Sequence, residues 1–153
     1  SDLQAMVEKY ALSPKYIENF TKRRASAKGT PFPQGITLVD VDGKPVDFSI
    51  FKGSYVYIDL WASWCGPCCK EVPHLQKLEK EIQNKNEKAW RAKMKMLNMH
   101  GHQFLNQDNS LAEALNVRGI PFFMIYDKDG KLYQHNAPRP SHPALQEMLE
   151  NLK

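Results

Sequence analysis

The stretch Trp61–Lys70, WASWCGPCCK, decides how this chain folds, because it joins a buried strand to an amphipathic helix. Before it lies Tyr55–Leu60, YVYIDL, whose β-branched and aromatic residues are typical of a buried strand. After it, apolar residues recur at intervals of three and four, which predicts one buried helix face made of Val72, Leu75, Leu78 and Ile82. The two cysteines of the Cys-x-x-Cys pattern therefore fall where a strand ends and a helix begins.

This position has a chemical consequence for Cys65. The unpaired N–H groups and the dipole at a helix N-terminus stabilise an anion there. A cysteine so placed loses its proton more readily, and the thiolate is the nucleophile. Cys68 lies one helical turn further on and can attack a mixed disulfide formed by Cys65. We therefore predict that Cys65 attacks, that Cys68 resolves, that the two form the intramolecular disulfide, and that Cys69 stays free.

The motif and its surroundings resemble the thioredoxin superfamily, and within it the TlpA-like thiol–disulfide oxidoreductases. Besides Trp-Cys-Gly-Pro-Cys, the resemblance rests on residues 37–46 and Phe51–Gly53 before the motif, and on residues 117–123 and 127–131 after it. It implies an α/β, thioredoxin-like fold, with a central mixed sheet flanked by helices, an N-terminal β-hairpin and a helical extension. It also implies a thiol–disulfide oxidoreductase that needs no cofactor and, as in most of these proteins, lies outside the cytoplasm.

The resemblance further implies roles for residues around the thiols. Asp59 occupies the place of a buried aspartate that shuttles protons for the resolving thiol, and a buried carboxylate without a partner tends to stay protonated. Glu71 matches a glutamate near the thiols of some TlpA-like proteins, although an exposed helix charge explains it equally well. Ile120–Pro121 matches a cis-proline loop that faces the Cys65 sulfur. The expected catalytic residues are Cys65, Cys68, Asp59, Glu71 and Pro121, and the expected substrate-binding residues are Trp64, Gly66, Pro67 and Ile120.

The remaining chain predicts elements that suit this fold. Residues 1–29 form a helical extension or linker, with Ser13–Pro14 as a helix start, and residues 30–153 form the thioredoxin-like domain. The other predicted elements are hairpins at 36–41 with 45–48 and at 122–126 with 132–135, a short strand at 103–105, and helices around 111–115 and 145–152, the last with Ser141 and Pro143 as start signals. The turns at Asp40–Gly43 and Asp127–Gly130 suggest calcium loops, but they lack the preceding acid of that pattern, which favours plain turns.

A central parallel strand should lie between the first two helices, and the sequence makes it hard to find. Residues 83–88 are polar throughout and cannot supply it. If Glu87–Leu97 is a helix, with Ala89 and Trp90 on its apolar face, a segment is missing between Ile82 and Glu87. Alternatively, the alternating pattern of Ala92–Met96 supplies the strand and that helix disappears.

Composition excludes several classes of protein. At 153 residues and 42% hydrophobic content, the chain suits one soluble domain, and its net charge of +4 is too small and dispersed to indicate nucleic-acid binding. No run of 18 apolar residues could span a membrane. Ser1 in place of Met suggests a processed chain or an expressed fragment, which leaves room for a removed upstream anchor or domain. We expect a periplasmic or extracytoplasmic monomer.

The predicted function is reduction of protein disulfides with electrons from a thiol donor. One alternative is a thiol peroxidase, but the Thr-x-x-Cys setting typical of that class is absent because Ala62 stands three residues before Cys65. Another is a copper or zinc chaperone using the three cysteines and His74, although we assign no metal ligand. For Cys69 the simpler interpretation is a small buried residue, with a regulatory or metal-binding thiol as the other.

Overall fold

The computed structural model describes residues 13–15, 26–84, 94–99 and 110–152, and for residues 82–84 and 94–99 it describes the backbone alone. The helical extension of residues 1–29 lies mostly outside these ranges, although Pro14 and Lys15 are helical as the Ser13–Pro14 start predicts. The strand predicted at 103–105 also lies outside them.

A four-stranded mixed sheet forms the centre of the molecule. In chain order, its strands are β3 (Tyr55–Leu60), β4 (Met94–Met99), β5 (Phe122–Tyr126) and β6 (Leu132–Gln134), and they lie in the order β4-β3-β5-β6. β3 pairs in parallel with β4 and antiparallel with β5, and β6 pairs antiparallel with β5. The predicted thioredoxin-like arrangement, with a central mixed sheet, is confirmed.

The elements around the sheet follow the predicted order, with shorter strands. The N-terminal hairpin consists of β1 (Leu38–Val39) and β2 (Pro45–Val46), and a 3-10 helix follows at Phe48–Phe51. In the described ranges the α-helices after the hairpin are α1 (Gly66–Asn84), α2 (Ser110–Ala114) and α3 (Pro143–Glu150). Both turns are plain turns: the side chains of Asp40 and Asp127 each accept two backbone N–H groups of their own turn at 2.9–3.0 Å.

The position of the parallel strand decides between the two interpretations of the sequence, a helix with a missing segment before it or a strand near Ala92–Met96. Met94–Met99 forms β4, so the helix predicted over Glu87–Leu97 is wrong from Met94 onward, and no missing segment is needed to supply a strand. Residues 85–93, where the break was expected, lie outside the described ranges. In the sequence of residues 93–96 lysine alternates with methionine, and this period of two suits a strand.

Side chains that alternate along β3 separate the core into two layers. Tyr55 and Tyr57 pack with α1 and α3, while Val56, Ile58 and Leu60 pack with β1 and α2 on the opposite face. Every residue of β3 is buried, because both faces of the sheet are covered. Asp59 shares its face with Tyr57, so the fold directs this carboxyl toward α1.

Candidate active site

Cys65 lies between β3 and α1, and Cys68 lies in the first turn of α1, as the sequence predicts. They form a disulfide, as predicted, and Cys69 is free. Cys65 directly precedes the first helical residue, Gly66, and the backbone N–H of Cys68 points at the Cys65 Sγ from 3.2 Å. When the disulfide is reduced, an N–H group at a helix N-terminus in this position stabilises a thiolate on Cys65.

The two cysteines differ in their access to solvent. Cys65 is 6% exposed and Cys68 is 1% exposed, so Cys65 is the thiol nearer the surface. Its neighbours Gly66 and Pro67 are exposed, and the indole of Trp64 is 81% exposed. A partner molecule that contacts this rim reaches Cys65 first, while Cys68 lies beneath it against Trp61 and Ala62.

The loop before β5 forms the opposite wall of the site. The Ile120–Pro121 peptide bond is cis, and the carbonyl oxygen of Ile120 lies 3.9 Å from the Cys65 Sγ. Both residues are half-buried. The structure thus brings the rim residues and this loop together around a single sulfur, although they are separated by more than 50 positions in the sequence.

Two carboxyl groups, those of Asp59 and Glu71, are buried in the described structure. Asp59 is 3% exposed, and no residue in the described ranges hydrogen-bonds its Oδ1. Burial, with the charge of Glu71 as a smaller contribution, raises the pKa of Asp59 to about 7. The buried stripe of α1 contains Cys68, Glu71, Leu75 and Leu78 at helical spacing, and it covers the face of β3 that bears Asp59.

Glu71 is not the exposed helix charge that the sequence also allowed. It is 6% exposed, and both carboxylate oxygens accept hydrogen bonds from Ser141: Oε2 from the backbone N–H at 3.0 Å, and Oε1 from the hydroxyl. The Tyr57 hydroxyl donates to the carbonyl of Pro138 at 2.7 Å, and burial, followed by the charges of Asp59 and Glu71, raises the pKa of Tyr57. Sequence analysis missed these partners, since Ser141 was only a helix start signal and Tyr57 only a core residue.

The exposure of Cys69 shows that its interpretation as a small buried residue is wrong. It is exposed rather than buried, and its thiol contacts the Ser63 carbonyl oxygen at 3.5 Å. His74, which the metal-chaperone hypothesis joined to the cysteines, is also exposed. Within the described ranges, no three histidine, cysteine or acidic side chains are grouped as metal ligands, and no helix is long and apolar enough to cross a membrane.

Comparison with known proteins identifies relatives over most of the chain. The Redoxin family model matches residues 27–148. The thiol-disulfide oxidoreductase ResA of Bacillus thuringiensis subsp. konkukian is 25% identical over 148 residues, which cover 90% of this chain and 85% of that protein. A Bacteroides vulgatus crystal structure, described as a thiol-disulfide oxidoreductase, is 28% identical with a TM-score of 0.69, and the match covers 82% of this chain and 96% of that one.

A third similar structure supports the fold alone. It is the exposed lipoprotein thioredoxin Etrx1 of Streptococcus pneumoniae, which is 24% identical with a TM-score of 0.59 over 76% of this chain and 98% of that one. The names of the more similar relatives agree with a Cys65–Cys68 pair that forms a disulfide beside an exposed rim.

Proposed function

The chain belongs to the Redoxin family, and from this premise we propose that it reduces disulfide bonds of other proteins through a Cys65 mixed disulfide that Cys68 resolves. Its general activity, thiol–disulfide exchange, follows from the relatives and from the Cys65–Cys68 disulfide. The proposal adds the direction of electron flow and the role of each residue.

The proposed reaction has two exchange steps. The Cys65 thiolate attacks one sulfur of a substrate disulfide, which forms the Cys65–substrate bond and releases the first substrate thiolate. Cys68 then loses its proton and attacks the Cys65 Sγ, which forms the Cys65–Cys68 disulfide and releases the second substrate thiolate. The substrate has gained two electrons and the enzyme has lost two, and an external dithiol returns them.

One observation carries this assignment: the Cys68 N–H lies 3.2 Å from the Cys65 Sγ while the Cys68 sulfur is almost fully buried. The N–H group at the start of α1 stabilises negative charge on Cys65 and not on Cys68. Access and thiolate stability therefore both favour Cys65 as the attacking sulfur. Cys68 acts after Cys65 carries the substrate sulfur.

Asp59 is the proposed proton acceptor for Cys68. Because burial and Glu71 raise its pKa to about 7, this carboxyl can both take up and release a proton near neutral pH. It lies on the face of β3 that the Cys68–Glu71 stripe of α1 covers. The Asp59→Asn variant keeps the shape of the side chain but cannot accept the proton, so we expect it to slow the release of the mixed disulfide.

The substrate contacts are assigned to the rim and to the cis-proline loop. Trp64 provides an exposed apolar surface, and Gly66 and Pro67, which follow Cys65, are exposed as well. The Ile120 carbonyl and Pro121 place backbone beside the same sulfur, where an extended substrate segment would pair with it. We propose that these contacts hold the disulfide in line for attack.

The wider setting is also a proposal. Resemblance to TlpA-like proteins favours an extracytoplasmic, periplasmic-type location, with a leader or membrane anchor joined before residues 1–29. These residues would link the anchor to the thioredoxin-like domain of residues 30–153. The partners would be a disulfide-bearing protein and a thiol electron donor, and the enzyme would act as a monomer.

The reduction potential of the Cys65–Cys68 pair tests the direction of the reaction. Because the Gly66-Pro67 pair between the thiols is that of thioredoxin, we expect a value below about −200 mV, toward the roughly −270 mV of thioredoxin. A value near the roughly −120 mV of strong oxidants would contradict a reductase. Insulin reduction with a dithiol donor should proceed faster than peroxide consumption, and the reverse order would favour the thiol peroxidase.

A further inference from the structure

The ring of His135 contacts both ends of the cis-proline loop, residues 115–121, which joins α2 to β5. At the first end, its Nε2 lies 3.1 Å from the carbonyl oxygen of Leu115. At the other end, the ring packs on the ring of Phe122, the first residue of β5, and the two ring centroids are 4.9 Å apart. One side chain from the end of the β5–β6 hairpin thus joins the two ends of the loop.

We propose that His135 is a positioning residue, which holds the cis-proline loop beside Cys65 so that the loop backbone pairs with a substrate segment. This loop places the Ile120 carbonyl oxygen 3.9 Å from the Cys65 Sγ. The inference deepens the proposed function and rests on it, since the position of the loop matters to the reaction only if the loop binds substrate. His135 acts through the loop and takes no part in the exchange of sulfurs.

The carbonyl of Leu115 depends on this ring for its hydrogen bond. Leu115 is fully buried, so solvent does not reach its carbonyl. The two N–H groups that follow it donate to the carbonyls of Glu113 and Ala112 at 3.2 and 2.8 Å, and Asn116 has the left-handed φ of +56° that this helix ending requires. These bonds leave the Leu115 carbonyl over. A buried carbonyl without a donor is costly, and in the described chain the donor is the His135 ring.

The acceptor determines which ring nitrogen of His135 carries the hydrogen. A carbonyl oxygen only accepts hydrogen bonds, so the Nε2 must donate. The imidazolium form also carries a hydrogen on Nε2, and the role therefore needs no change of charge. The ring face lies at a tilt of 55° to the Phe122 ring, within the distance of an aromatic contact. His135 therefore supplies a hydrogen-bond donor to one end of the loop and an aromatic face to the other.

The backbone around His135 is held by the sheet and not by the loop. His135 directly follows β6, which ends at Gln134, and the next residue, Asn136, has φ +56°. The N–H of Ala137 then donates to the Phe123 carbonyl on β5 at 2.7 Å. A binding loop that is tied to such fixed elements keeps its geometry, and a displacement of about 1 Å can slow a reaction by about 100-fold.

The primary test compares two disulfides in a reduced Cys68→Ala, Cys69→Ser background, which leaves Cys65 as the sole thiol. One is the disulfide-linked dimer of a short unstructured peptide, which can pair with the loop backbone. The other is 2-hydroxyethyl disulfide, which has no peptide group. In both reactions the Cys65 thiolate attacks one sulfur, forms the mixed disulfide and releases one thiolate, and mass spectrometry follows the product.

The substitution His135→Phe keeps an aromatic ring but removes the N–H group. It should slow the reaction with the peptide disulfide by about tenfold, a factor within the range expected for a buried acceptor that loses its donor. The rate with 2-hydroxyethyl disulfide should not change, because that reaction does not use the loop. Partial unfolding or a less reactive Cys65 would slow both reactions equally. Equal losses with the two disulfides, or no loss with the peptide, would overturn the proposal.

Further variants make the result specific. His135→Gln places an amide N–H group near the position of the ring Nε2 and should retain more of the peptide rate than His135→Asn, whose amide is too short to reach the Leu115 carbonyl. If His135→Phe does not fold, this pair takes its place, and equal peptide rates for the two would overturn the proposal. His74→Phe, at an exposed histidine of α1, is the matched control and should change neither rate.

Two NMR measurements on the oxidised protein require no reaction. The 15N shifts of the neutral His135 ring should place the hydrogen on Nε2, and a hydrogen on Nδ1 would overturn the proposal. Amide hydrogen exchange at Val117, next to the unpaired carbonyl, should become about tenfold faster in His135→Phe, and unchanged exchange would also overturn it. If the unmodified protein does not react with the peptide disulfide, the proposed function fails, and these measurements still report on His135 separately.

Discussion

Asp59 makes the stability of the oxidised protein depend on pH in an unusual direction. A carboxyl whose pKa rises on folding binds its proton more tightly in the folded state. It therefore stabilises the fold below its folded pKa, and that stability is lost as pH rises from the ordinary value of 3.8 toward about 7, with no further change above. Most carboxyls in folded proteins act in the opposite sense.

The size of the effect follows from the same pKa change. Between pH 5 and pH 8, titration of Asp59 should lower the free energy of unfolding by about 3 kcal/mol, at 1.36 kcal/mol for each pH unit below the folded pKa. Asp59→Asn removes this titration. The stability of the variant relative to the unmodified protein should therefore increase by about 3 kcal/mol over that range, whatever the fixed cost of burying the amide.

Urea unfolding of both oxidised proteins, followed by circular dichroism at pH 5, 6, 7 and 8, measures this difference. Asp47→Asn is the matched control, because Asp47 is exposed and hydrogen bonds from Ser49 lower its pKa. Its titration falls below this range, so its curve should run parallel to that of the unmodified protein. If the Asp59→Asn curve also runs parallel, the Asp59 carboxyl is ionised throughout this pH range and its pKa is not raised in the folded protein.

Three other substitutions test individual contacts. Tyr57→Phe removes the donor to the Pro138 carbonyl and should lower the free energy of unfolding by about 1–3 kcal/mol in urea titrations, and no loss would show that water replaces the donor. Cys69→Ser should leave the Cys65–Cys68 disulfide intact in peptide maps, whereas a change of pairing would show that the third thiol exchanges with the pair. Gly130→Ala should destabilise by roughly 1 kcal/mol, because its φ is +74°. Gly119→Ala, where φ is not positive and an added Cβ meets no close atom, is its control, and equal losses would contradict this reason.

Local sequence signals were sufficient for the reactive pair and for most of the sheet. The apolar run of β3, the Cys-x-x-Cys spacing and the apolar spacing of α1 are each contained within a few residues, and together they determine where Cys65 and Cys68 lie. The hairpin of β5 and β6 was equally clear, since a turn sequence separates two apolar runs.

The sequence was less informative where the structure of a segment or the burial of a side chain depends on residues that are distant in the chain. β4 contains Lys95 and Asn98 among its apolar residues, so its apolar pattern is weak, and it pairs with β3, which is distant in the sequence. Cys69 and Glu71 both follow Cys68 on α1, but successive helical residues turn by about 100°, which places Glu71 on the buried stripe and Cys69 on the exposed side. The link from Ser141 to Glu71 spans 70 positions and follows no periodic pattern.

Covalent capture of a substrate tests the central claim most directly. Each variant, Cys65→Ala and Cys68→Ala, is incubated with a disulfide-bearing protein such as insulin, and the products are separated on non-reducing gels. Cys68→Ala should accumulate a stable mixed disulfide through Cys65, because the resolving thiol is gone. Cys65→Ala should accumulate none, although Cys68 and Cys69 remain. Capture by Cys65→Ala at a comparable rate would assign the attack to another thiol and contradict this account of the site.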